Sequence, residues 1–90
     1  MPAYDIEVTE RFKKEFVKLD KYTQKIIQSW IDKNLVGSSD PPQHGKALTG
    51  NLGGQWRYRI GDYRLIAHID DDMLIILALS VGHRRNIYKR

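Results

Sequence analysis

The chain has 90 residues, no cysteine and a net charge of +4 at pH 7. That length predicts a single small domain, residues 1–90, with a modest core. The lack of cysteine excludes a disulfide framework, a thiolate zinc site and a cysteine nucleophile. No apolar run of signal-peptide kind opens the sequence, and the longest apolar run, Met73 to Leu79, is too short to span a bilayer. A cytoplasmic protein with no membrane partner is expected.

The positive charge is unevenly placed. Residues 1–45 hold seven Lys and Arg against seven acids, whereas residues 46–90 hold eight against four. Six of the seven cations in the first half are lysines, and six of the eight in the second are arginines. Lysines on helices usually form a solvated face. Arginines clustered on strands more often meet carboxylate or phosphate.

In chain order, Ala3 to Val8 alternates with period two and puts Tyr4, Ile6 and Val8 on one face of a strand. Thr9 can cap the helix that follows, where Phe12, Phe16 and Leu19 form an apolar stripe with a lysine-rich back. Asp20 can cap a second helix. There Ile26, Ile27, Trp30, Ile31 and Leu35 form a continuous stripe at helical spacing. The two helices are expected to form a hairpin that covers a sheet. Gly37 to Pro42 ends the second helix. A long loop is expected from there through His44 to Gly54, pinned to the core by Leu48 and Leu52.

Trp56 to Ile69 reads as two strands around a Gly61-Asp62 turn, with glycine placed for a type II′ turn. This register sets Ile60 against Tyr63, Arg59 against Arg64 and Tyr58 against Leu65. Trp56, Tyr58, Ile60, Tyr63, Leu65 and Ala67 then share one face, and Arg57, Arg59, Arg64 and His68 share the other. Asp70 to Asp72 makes a second turn. Met73 to Ser80 is apolar on both faces, as in a strand near a sheet centre. Val81-Gly82 leads to a basic tail, His83 to Arg90. The predicted class is α+β, in the order β-α-α-β-β-β, with an antiparallel sheet covered by the helical hairpin.

The arginine face is the main candidate site. Like charges directly opposite each other destabilise a strand pair, so Arg59 against Arg64 calls for a compensating anion, and guanidinium forks match phosphate oxygens. The bland alternative is a solvent face with arginines paired to Asp5 or Glu7. In the tail, His83, Arg84, Arg85 and Tyr88 can bring a titrating group, fixed cations and an aromatic that stacks on a base. A frayed basic terminus is the competing reading. His44, His68 and His83 are too scattered for a metal pattern, and His83 is the better proton-transfer candidate because it precedes Arg84. Lys46 lies in a glycine-rich loop where it can touch RNA backbone, although Gly45-Lys46 is no Walker A motif.

Three stretches carry a family resemblance: His44 to Leu52, Gly54 to Ile66, and Val81 to Tyr88. Together they resemble the RelE branch of the RelE/ParE toxin superfamily, over nearly the whole chain. The resemblance implies the toxin of a type II toxin–antitoxin pair that enters the ribosomal A site and cuts mRNA. The RNA 2′-hydroxyl would attack the adjacent phosphate, leaving a 2′,3′-cyclic phosphate and a 5′-hydroxyl, with no metal or cofactor. It implies a cognate antitoxin partner and operator DNA reached only through the antitoxin complex. Arg64 matches the family arginine of the hairpin, Arg84 the arginine after the final strand, and Tyr88 the tail tyrosine. Arg57 and Arg59 fall where the best-known member has two lysines, one of them proposed as general base. Arginine stays protonated, so Arg59 cannot easily take a proton. Either His83 or Tyr88 transfers it, or charge stabilisation and alignment supply most of the rate. A ParE-like gyrase poison and a non-catalytic binding or repressor module are the alternatives.

Overall fold

The structure, a computed structural model, describes residues 3–48, 54–83 and 85. The elements are β1 (Asp5–Val8), α1 (Glu10–Val17), α2 (Lys21–Asn34), a 3₁₀ turn (Pro41–His44), β2 (Gly45–Ala47), β3 (Gln55–Ile60), β4 (Tyr63–Asp70) and β5 (Ile75–His83). They form one five-stranded sheet in the order β1-β5-β4-β3-β2, with the α1–α2 hairpin on one face. The sheet is antiparallel from β5 through β2, and β1 joins β5 in parallel. The expected α+β order is present, with β2 added in a stretch that reads as loop.

Both helices begin where the sequence offers a cap. The Thr9 hydroxyl accepts from Phe12 N at 3.1 Å, and the Asp20 carboxylate accepts from Thr23 N at 3.2 Å. Hydrogen bonds from Thr23 hold the Asp20 carboxyl below the usual aspartate range. Phe12, Ile27, Ile31 and Leu35 pack from the helices onto Tyr58, Ile60, Leu65, Ala67, Ile76, Ala78 and Val81. Ile27 and Leu35 are fully buried, and each such side chain contributes about 2 kcal/mol. Ile26 departs from the expected stripe. It lies 44% exposed on the outer side of α2, because Ile27 and Ile31 take the sheet-facing positions.

The β3–β4 register is the one that the turn predicts: Ile60 with Tyr63, Arg59 with Arg64, Tyr58 with Leu65. Gly61 has φ +60°, and Leu74 is the one non-glycine with positive φ among the described residues. Asp62 therefore has negative φ, as a type II′ turn requires. The second turn runs longer than expected. Asp70 ends β4, its carboxylate accepts from Asp72 N and Met73 N at 3.0 Å each, and β5 begins only at Ile75.

β5 runs to His83, so that residue ends a strand rather than opening a tail. A bulge lies opposite Ile66 and Ala67, which pair with Ser80 and Ala78 and leave Leu79 unpaired with β4. Beyond Ala78, α1 takes over the β5 edge that β1 leaves. Thr9 N donates to Ala78 O at 3.0 Å, and the Thr9 hydroxyl donates to Leu79 O at 3.0 Å. Glu15 Oε1 accepts from the Ser80 hydroxyl at 2.8 Å and from Val81 N at 3.0 Å.

Candidate functional site: an arginine-lined cleft at the β2 edge

Alternation along β3 and β4 sends Tyr58, Ile60 and Leu65 toward the helices and Arg57, Arg59 and Arg64 to the other face. Lys46 pairs with Arg57 and joins that face from β2. The short β2 can lie this close because its partner for Tyr58 is a glycine. A Cβ on Gly45 would meet the Tyr58 ring at 2.8 Å. The preceding 3₁₀ turn is tied down by the Tyr58 hydroxyl, which donates to Pro41 O at 2.9 Å. Burial, with a smaller contribution from Asp40, pushes the Tyr58 hydroxyl up to about 12.

These elements enclose a cleft of about 240 Å³ lined by Gln43, His44, Gly45, Lys46, Arg57, Arg59 and Arg64. Four of the seven lining residues are fixed cations, and none is an acid. Arg64 is 8% exposed, yet its Nε has no hydrogen-bond partner among the described residues, and Nη1 donates to Tyr63 O at 3.2 Å. Neither Arg59 nor Arg64 has an acid within ion-pair distance among those residues. The ion pairs found there, Arg11–Glu15 and Lys13–Glu10, both lie on α1. Asp5 and Glu7 stand on β1 at the far edge of the sheet, with β5 and β4 between them and β3. A buried guanidinium costs free energy unless it is paired. An anion would offset that cost, and guanidinium forks match phosphate oxygens.

The other candidates separate. Lys46, Arg57, Arg59 and Arg64 come together in the cleft. His68 shares their face but stands four residues along β4 from Arg64, about 13 Å at strand rise. Its ring lies against Gly54, where a Cβ would come within 2.7 Å of Cε1. His83 pairs with Tyr63, and their rings meet edge to face at 5.5 Å. It thus takes the face of Leu65 and Val81, opposite to the arginines. Arg85 is exposed, and its N–H donates to His83 Nδ1 at 3.2 Å. Arg84, Tyr88 and the expected anchor Leu52 lie outside the described residues. Gly82, directly before His83, pairs with Arg64.

Sequence reasoning missed His44 and Gln43 as cleft residues. His44 ends the 3₁₀ turn, with its ring edge-on to Trp30 of α2 at 6.2 Å. Its spacing in the sequence carries no signal of this. Only the turn and β2 bring it to the lining of the cleft.

The sequence profile described as ParE toxin of type II toxin-antitoxin system, parDE, matches residues 6–88, and the chain belongs to that family. Within the RelE/ParE superfamily its likeness in sequence and structure is to RelE-type toxins. Toxin RelG of Mycobacterium tuberculosis is 42% identical over 53 residues, covering 59% of this chain and 61% of that protein. The chain therefore matches less than two thirds of that relative's length. The RelBE2 toxin-antitoxin complex of M. tuberculosis contains a chain of the same fold, with TM-score 0.81 and 29% identity, covering 91% of this chain and 99% of that one. The isolated E. coli RelE toxin shares the fold at TM-score 0.74 and 24% identity, covering 96% of this chain and 92% of that one.

Proposed function

We propose that this protein is the toxin of a type II toxin–antitoxin pair and a metal-independent endoribonuclease that cuts mRNA in the ribosomal A site. The observation that carries this reading is the buried, unpaired Arg64 Nε in a cleft of four cations. A phosphodiester would satisfy it. Attack by the 2′-hydroxyl gathers negative charge on the phosphoryl oxygens, and cations fixed in advance stabilise that charge more than the ground state. Arg64 and Arg59 hold the phosphoryl group from opposite strands. Arg57 and Lys46 hold the neighbouring backbone, with His68 and Arg85 further out on the RNA path. Arg84 follows Gly82 and His83 and is assigned to the phosphorane or the leaving oxygen, and Tyr88 to stacking or proton transfer. Of the two proton-transfer candidates His83 and Tyr88, His83, which ends β5, is the weaker, because its ring meets Tyr63.

The partners in this reading are the ribosome with its mRNA and a cognate antitoxin, with operator DNA bound through the antitoxin complex. The name of the matched family favours a second reading, a ParE-like gyrase poison on the same fold. One experiment separates them. Purified protein is added to programmed 70S ribosomes and, in parallel, to gyrase with supercoiled DNA. Cut mRNA with intact DNA is expected. Stabilised gyrase–DNA cleavage complexes with intact mRNA would replace the ribonuclease reading with the second one.

A further inference from the structure

The cleft has many groups that donate hydrogen bonds and stabilise negative charge, and it needs one that can accept a proton. Arg57, Arg59 and Arg64 are donors only, and Lys46 offers an ammonium. The Gln43 amide does not titrate. Among the described lining residues, His44 carries the one side chain of the type that most often serves as a general base. It is exposed to solvent. It is also held. The 3₁₀ turn that carries it is bonded to the core through Pro41 O, and its ring rests on Trp30, which in turn packs on Tyr58 at 5.6 Å. His44 lines the same cleft as Lys46 from β2, Arg57 and Arg59 from β3 and Arg64 from β4. It also meets the Trp30 indole, which does not titrate.

We propose that His44 accepts the 2′-hydroxyl proton in the cleavage step. This rests on the ribonuclease reading above. The imidazole takes the proton, and the 2′ oxygen forms its bond to phosphorus. The bond from phosphorus to the 5′ oxygen breaks with its electron pair on that oxygen, which takes a proton from water. The imidazolium later returns its proton to solvent. The arginines carry the charge of the phosphorane throughout. They then need no part in proton removal, which accounts for arginine at positions 57 and 59.

The test is single-turnover cleavage of mRNA on 70S ribosomes across the range in which imidazoles titrate, about pH 5 to 8. Wild type, His44→Gln, His44→Ala and Arg64→Ala are compared, with ribosome binding and melting temperature measured for each. The wild-type rate is expected to rise with unit slope and level off within that range. His44→Gln is expected to fold and bind ribosomes like wild type, lose about 100-fold or more in rate, and lose the rise. Added imidazole is expected to restore part of the rate to His44→Ala and none to Arg64→Ala. A His44→Gln enzyme with the wild-type rate and profile would overturn the proposal, as would a slowed one that keeps the rise. Either result, with Arg64→Ala inactive, leaves the ribonuclease reading standing. Wild-type protein that leaves mRNA intact removes both.

Discussion

Arg59 and Arg64 face each other directly across the β3–β4 hairpin, and only Arg64 is buried. Two guanidiniums in register oppose the pairing of their strands, and burial adds a desolvation cost to one of them. Among the described residues, the Arg64 guanidinium makes one hydrogen bond, to the carbonyl of its own neighbour Tyr63. Arg64→Ala is therefore expected to lower cleavage by about 100-fold or more, the scale of losing one fixed transition-state donor. Its melting temperature should stay equal to that of wild type or rise. Thermal unfolding and cleavage measured on the same preparation check this, and a folded variant with full activity would remove the phosphate assignment.

Tyr58 ties the sheet to the turn that carries His44. Tyr58→Phe removes the bond to Pro41 O and leaves that carbonyl buried, at a cost of about 1–2 kcal/mol. The hydroxyl also predicts a response to alkali. In the unfolded chain it ionises near 10, and in the folded protein only at about 12. Its contribution is present below pH 10 and is lost as pH rises from 10 toward 12, where the unfolded state loses the proton first. Wild-type stability should fall across that window more steeply than that of Tyr58→Phe. Denaturant unfolding at a series of alkaline pH values measures it.

Glu15 receives the backbone of Val81 and the hydroxyl of Ser80 just past the bulge. Glu15→Ala leaves Val81 N without that partner and should cost about 1–3 kcal/mol. It should also slow cleavage, because β5 loses the contact that sets its end beside Arg64. Glu15→Gln keeps an accepting oxygen and should recover most of both. Equal losses in the two variants would mean that the carboxylate charge, and not its oxygen geometry, holds the strand.

The tail residues are expected to differ in weight. Arg84→Ala should reduce cleavage by about 100-fold with no change in melting temperature, as expected of a charge-stabilising group. His83→Gln should cost less than His44→Gln, because His44 lines the arginine cleft and His83 is not among its described lining residues. A larger loss in His83→Gln would return the proton-transfer role to the tail.

The partner should be an apolar and acidic segment, encoded next to this gene, that covers the arginine cleft or displaces the tail. The whole +4 excess lies in residues 46–90, so association should be fast and should slow as salt is added. Stopped-flow binding at several ionic strengths tests this. A rate that ignores salt would move the interface away from the cleft.

Much of the site was legible because it is local. Gly61-Asp62 sets the hairpin register, and alternation then sorts Arg57, Arg59 and Arg64 from Tyr58, Ile60 and Leu65. What escaped depends on distant contacts. Gly45-Lys46-Ala47 is too short to alternate, and it lies against β3 only because Gly45 has no Cβ to meet the Tyr58 ring. His44 reaches the cleft through the same turn. The parallel pairing of β1 with β5 joins segments far apart in the chain, which no local pattern encodes. His83 was read as tail because Gly82 looked like a stop, whereas β5 continues along β4 through it. The burial of Arg64 was also hidden, since alternation gives a face but not what surrounds it.

The sheet order has a consequence in time. β1 is hydrogen-bonded to β5 alone, and Asp5 waits for Ile75, 70 residues further on. During synthesis the arginine hairpin leaves the exit tunnel before the strand that completes the sheet around it. Contacts of such sequence separation form late and slowly. A nascent chain halted before Ile75 carries Arg57, Arg59 and Arg64 with no central strand beside β4 and no neighbour for β1. The sheet that backs the cleft is complete only when β5 enters between β4 and β1.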